Sequence, residues 1–170
     1  MAILAADGVG AAQVDVLTAA LKAAGAAGVV VGTHLGSLGN GVVATMTFAT
    51  TASVLFDAVY VPGGAQSVKA LARLGDARTF VDDAYKHAKP IAAVAEGVEV
   101  LTASGIGRVI RHACAASAAT HAAPEQATTA EVQSLSAVGS VKLANDGGAT
   151  GLAAYGIIVA KGSDLSAAVA

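Results

Sequence analysis

The sequence predicts an α/β fold in which a mostly parallel sheet is covered by helices on both faces. Short apolar, β-branched runs alternate with helical patterns of about 10–15 residues, the signature of strand–helix–strand units. Such runs lie at 2–6, 28–32, 58–61, 91–95 and 155–160, and the first four have Gly, Pro or Asp at one or both ends. Three of the turns that follow such runs, Asp7-Gly8, Pro62-Gly63-Gly64 and Ala95-Glu96-Gly97, should lie together beyond the carboxyl ends of the strands, where folds of this kind bind ligands.

Ala2-Ile3-Leu4-Ala5-Ala6 reads as a central strand. A helix from about 11 to 24 carries Val14, Leu17 and Leu21 on one face, and Gly25 ends it. Gly28–Gly32 is a second strand, 33–41 a glycine-rich loop and 42–48 a short hairpin region. Residues 53–57 lead into the strand Ala58–Val61, whose tight turn Pro62-Gly63-Gly64 opens a helix with Val68, Leu71 and Ala72 inward. Gly75 stops that helix and Asp76 is suited to cap the next, which has Phe80, Val81, Ala84 and Ala88 as its stripe. Lys89 precedes a proline, a position that disfavours helix, and the strand 91–95 follows. A helix runs from about 97 to 103, 107–150 gives no clear pattern, and 155–160 returns as strand. Ser163 could cap a last helix, but only seven residues follow it.

With 170 residues the chain suits one domain with a real core. Charged residues make up 13%, where a typical domain has about 25%. Half the usual charge suggests an outer surface covered by something else; alanine richness, with 43 alanines, is the competing explanation. The net charge of −2 gives no footprint for nucleic acid, and no basic cluster would hold an anionic membrane. The few aromatic residues offer no stacking platform. The longest stretch without Asp, Glu, Lys or Arg, Ala23 to Phe56, is too broken by glycine and polar residues to span a bilayer. The N-terminus lacks a basic region and Asp7 interrupts its apolar run, so no signal peptide is read, and the compartment stays open.

The elbow Val94-Ala95-Glu96-Gly97 is where many α/β enzymes carry a nucleophile. Alanine has no lone pair or acidic proton, so Ala95 cannot serve. Glu96 could act as a general base if its pKa were raised; the plainer reading is an exposed or hydrogen-bonded elbow residue without a catalytic partner. Gly63 and Gly64 could form an oxyanion hole, or be a retained turn. Cys114, the one cysteine, has Arg108 and Arg111 near it in sequence and could be a reactive thiol, though buried inert cysteines are commoner. His112, Cys114 and His121 fall short of a structural zinc set, so no metal is expected. Gly8-Val9-Gly10-Ala11-Ala12-Gln13 imitates a dinucleotide fingerprint with its third glycine replaced, and no acidic residue closes the second strand, so no nucleotide cofactor is expected.

Val61-Pro62-Gly63-Gly64, followed about 30 residues later by Lys89-Pro90-Ile91-Ala92-Ala93-Val94-Ala95-Glu96-Gly97, resembles the PfpI-like superfamily. The resemblance implies a flavodoxin-like three-layer α/β/α sandwich of the class I glutamine-amidotransferase type. Active members carry Cys at the position of Ala95 and a Glu after the first strand, whose nearest equivalent here is Gln13. Both the nucleophile and its acidic partner are thus expected to be lost, leaving a vestigial pocket of Ala95, Glu96, Gly97, Gly63, Gly64, Asp7 and Gln13. Within the superfamily, the opening 2–9, the block 55–64 and above all Asp82-Asp83-Ala84-Tyr85-Lys86-His87-Ala88-Lys89-Pro90-Ile91 are similar to the C-terminal domain of large-subunit haem catalases. This implies a non-catalytic auxiliary domain spanning 1–170, without a cofactor of its own, cut from a larger catalase and with its last helix truncated. The parent would decompose hydrogen peroxide at a haem held elsewhere. Its partners would be the haem core of a homotetramer and unfolded client proteins. The alternative is a PfpI-like hydrolase, amidase or glyoxalase working through Cys114 or Glu96.

Overall fold

A computed structural model describes residues 1–110 and the strands Ala149–Leu152 and Ile157–Ala160. Its elements in order are β1 (Ala2–Ala5), α1 (Ala11–Ala23), β2 (Val29–Gly32), β3 (Gly36–Ser37), β4 (Val43–Ala44), β5 (Met46–Thr47), a 3-10 turn (Ser53–Leu55), β6 (Val59–Val61), α2 (Ala65–Arg73), α3 (Gly75–Lys86), β7 (Ile91–Val94), a 3-10 turn (Ala95–Gly97), α4 (Val98–Ala103), β8 (Ala149–Leu152) and β9 (Ile157–Ala160). The main sheet runs β5-β2-β1-β6-β7-β9-β8. All neighbours in it are parallel except β8, which pairs antiparallel with β9.

Strand pleating divides the apolar residues between two cores. Ala2, Leu4, Val59, Val61, Ile91 and Ala93 face one side, where they meet Val68 and Leu71 of α2, Phe80 and Val81 of α3, and Val100 and Leu101 of α4. Ile3, Ala5, Tyr60 and Val94 face the other, where Val14, Leu17 and Leu21 of α1 cover them. Successive side chains on a strand point to opposite faces, so a run buried at every residue needs a helical layer on each side. That is the three-layer arrangement expected from the sequence.

Several local expectations shift. The hairpin is β3 with β4, so one of its strands lies in the stretch read as loop, and Met46–Thr47 joins the main sheet beside β2. Residues 53–55 form a 3-10 turn rather than leading in as strand. Lys89 explains this turn, because its Nζ donates to the carbonyls of Ser53 at 2.7 Å and Phe56 at 2.5 Å. Leu74 closes α2 and opens α3, and Asp76 sits inside the first turn of α3 without a side-chain capping bond. Its charge there complements the helix dipole instead. The strand β8, at the edge of the sheet, was not anticipated.

Candidate functional site: a stitched elbow at the carboxyl edge

The turns after β1, β6 and β7 meet at one point. Strand β7 stops at Val94, and Ala95 takes a left-handed backbone with φ of 49°. That region is costly for a residue with a Cβ. Gly97 lies under the turn, where an added Cβ would strike the backbone oxygens of Val61 and Pro62. Gly64 has a φ of 112°, and an added Cβ would come 2.5 Å from the Gly8 oxygen and 2.8 Å from the Gly10 nitrogen. A sharp, tightly packed strand-to-helix turn is therefore present, with a methyl group at its apex.

The N–H groups that could have served as an oxyanion hole already have partners. Gly63 N–H donates to Gln13 Oε1 at 2.5 Å, and Gly64 N–H donates to Glu96 Oε2 at 3.2 Å. Gly10 N–H donates to the Gly63 oxygen at 2.9 Å, tying the first turn to the second. Ala6 N–H donates to the fully buried Ser67 Oγ at 2.9 Å, which fastens α2 to the end of β1. A Cβ placed on Gly63 would meet Glu96 Oε2 at 2.6 Å, Ala95 Cβ at 3.1 Å and Gln13 Oε1 at 3.2 Å. All three side chains thus converge on Gly63.

The electrostatics follow from these bonds. The backbone N–H of Glu96 itself, and then that of Gly64, hold the Glu96 carboxyl below its ordinary value of 4.5. Donors that stabilise the charged form lower a carboxyl pKa. A carboxylate so stabilised is a weaker base than a free one.

Of the site residues read from the sequence, Ala95, Glu96, Gly97, Gly63, Gly64 and Gln13 come together. Asp7 does not join them. It is exposed, and its Oδ1 lies 3.1 Å from Nε2 of exposed His34 in the loop after β2. A hydrogen bond to the Leu35 carbonyl, and then the one to Asp7, raises the His34 pKa from 6.5. Cys114, Arg111, His112 and His121 lie outside the described residues. Sequence reasoning missed Ser67 and His34, and it treated Gln13 only as the substitute for a lost acid. A serine three residues after the Gly-Gly turn and one helical turn before Leu71, on the face expected to point inward, was the available signal for Ser67.

A family model described as the C-terminal domain found in long catalases matches residues 1–134. Catalase HPII of Mycobacterium avium is 42% identical over 111 residues, which cover 62% of this chain and 16% of that protein. A cysteine-to-alanine variant of a DJ-1 superfamily protein from Salmonella typhimurium superposes with a TM-score of 0.55 at 28% identity, covering 60% of this chain and 58% of that one. A ThiJ/PfpI domain protein from Brachyspira murdochii gives a TM-score of 0.63 over 99% of this chain and 91% of its own, at 16% identity, a likeness of fold alone.

Proposed function

Because this chain belongs to the family of C-terminal domains found in long catalases, we propose that it is a non-catalytic auxiliary domain that stabilises the assembled catalase. The whole protein would decompose hydrogen peroxide at a haem, outside the 16% of the curated relative that aligns here. The described histidines do not suit that haem: His34 and His87 are exposed, and His34 is engaged by Asp7 and Leu35. The role left to the domain is mechanical, in support of a homotetramer. Shielding of unfolded clients is a further part of the proposal, motivated by the low charge and high apolar content.

One observation carries the reading. The elbow has a methyl group at its apex, and both neighbouring N–H donors are held by Gln13 and Glu96. Covalent catalysis needs a nucleophile and a free set of donors for the developing oxyanion. The hydrolase alternative through Glu96 is opposed by the donors that keep its carboxylate charged and poorly basic. The alternative through Cys114 rests on a residue outside the described ones.

The test compares the full catalase with a version lacking this domain. Turnover per haem should be unchanged, while the half-life of activity on heating should fall several-fold. Equal heat inactivation of the two would overturn the stabilising role. Suppression of light scattering from a heat-aggregating client, present with the domain and absent without it, tests the shielding role separately.

A further inference from the structure

The turn of the β3–β4 hairpin carries Asn40-Gly41, the single asparagine–glycine step of the sequence. Gly39, Asn40 and Gly41 all hold a positive φ, of 88°, 52° and 82°, and all three are exposed. A Cβ added to Gly39 or Gly41 would meet nothing within 4 Å. The bonds of the hairpin end on either side of this step. Val42 N–H donates to the Gly39 carbonyl at 3.0 Å, and Leu38 N–H donates to the Val42 carbonyl at 2.9 Å. The Gly41 N–H has no hydrogen-bond partner among the described residues. A contrasting step lies at Asp7-Gly8, where the Gly8 N–H donates to the Leu38 carbonyl at 3.1 Å.

An asparagine side chain is open to attack by the next backbone nitrogen when that N–H is free to lose its proton and no Cβ blocks the approach. Both conditions hold at Gly41, and a glycine on each side of Asn40 lets the turn reach the cyclic geometry at little backbone cost. We propose that Asn40 is a site of spontaneous deamidation, through a succinimide closed by the Gly41 nitrogen. That nitrogen gives its proton to solvent and bonds to Cγ of Asn40, and the Cγ–Nδ2 bond breaks with release of ammonia. Water then opens the ring, at the side-chain carbonyl to give aspartate or at the main-chain carbonyl to give isoaspartate. The net change consumes one water and releases one ammonia. Either product places a negative charge in the run Ala23 to Phe56, which otherwise has none. Isoaspartate also adds a backbone methylene to the turn that seats Leu38 and Val42, 1% and 4% exposed, in the core under α1. Leu38 is in turn the acceptor for Gly8, so a change in the hairpin reaches the loop after β1. This site goes beyond the auxiliary role proposed above and does not depend on it.

Peptide mapping of the full-length protein after incubation in warm, mildly alkaline buffer tests the site. Trypsin releases Ala23–Lys69 as one fragment, in which Asn40 is the only asparagine. That fragment should gain about one mass unit, at a rate within about 10-fold of that in a free peptide of sequence 36–44. Asp7 should isomerise at least about 10-fold more slowly in the folded protein than in its own free peptide, because the Gly8 nitrogen is held. Asn40→Gly should abolish the mass gain, and glycine suits the φ of 52° at that position. Hydrogen exchange at Gly8 and Leu38 should be faster in the isoaspartate form than in unmodified protein. A fragment of constant mass while the free peptide converts would overturn the proposal, as would an undiminished gain in Asn40→Gly. Equal slowing at Asn40 and Asp7 would remove the role given to the unpaired Gly41 nitrogen. Unaltered exchange at Gly8 would break the link from the hairpin to the loop after β1.

Discussion

Ala95 holds a left-handed backbone that glycine adopts without steric cost. Ala95→Gly should therefore leave stability unchanged or raise it by up to about 1 kcal/mol, the gain from relieved strain being partly offset by glycine's extra freedom when unfolded. Urea denaturation reads this directly, and a loss above that size would mean the methyl group packs usefully. Gln13→Ala has the opposite sign. It leaves the buried Gly63 N–H without its acceptor, and such a loss costs about 1–3 kcal/mol. Two titrating groups set the pH response. Glu96 has a folded pKa below its ordinary value, so its contribution is present above pH 4.5 and is lost as pH falls through the lower folded value. Glu96→Gln should flatten that acid limb of the melting temperature. His34 has a raised folded pKa, so its contribution is full below pH 6.5 and fades as pH rises through the higher folded value. His34→Gln should remove that part of the alkaline decline and leave the acid limb alone.

At the scale of elements, the turn at Gly64 is the least tolerant joint. Gly64→Ala combines a φ of 112° with a Cβ 2.5 Å from the Gly8 oxygen, and should cost about 2–4 kcal/mol by chemical denaturation. The central strands and α1 were readable because their signals are local. Ala2–Ala5 and Ile91–Val94 are apolar runs cut off by turn residues, and Val14, Leu17 and Leu21 recur at helical spacing. The hairpin was not, because Gly36-Ser37 carries no strand preference and pairs only through the turn containing Asn40 at φ 52°. Val54-Leu55 resembles strand in composition, yet Lys89, far along the chain, captures the carbonyls of Ser53 and Phe56 and bends the segment. The convergence of the three loops was legible because each follows the carboxyl end of a strand in a parallel sheet. The acceptor roles of Gln13 and Glu96 were not, because they depend on where a side chain reaches and not on its type.

Across the whole molecule, the two cores meet through a sheet one residue thick, so the helical layers depend on each other through β1, β6 and β7. Leu71, fully buried in α2, is a test of that coupling. Leu71→Ala should cost about 2–5 kcal/mol, and it should lower the protection of amides in α1 as well as α2 if the domain unfolds as one unit. The charge distribution also has an expected outcome at this scale. Both ion pairs found among the described residues, His34–Asp7 and Lys86–Asp83, are exposed and the net charge is −2, so added salt should hardly move the melting temperature of the domain.

The paired amides of Gly63 and Gly64 limit the evolutionary future of this fold. A thiol placed at Ala95 alone is expected not to confer hydrolase activity, because a substrate carbonyl oxygen would have to displace Gln13 and Glu96 to reach the two N–H donors. Ala95→Cys alone should show no release of product from an ester reporter above the uncatalysed rate, even with its thiol open to alkylation. On the auxiliary-domain reading proposed above, the two hydrogen bonds that join the turns also stand against acyl chemistry at this elbow.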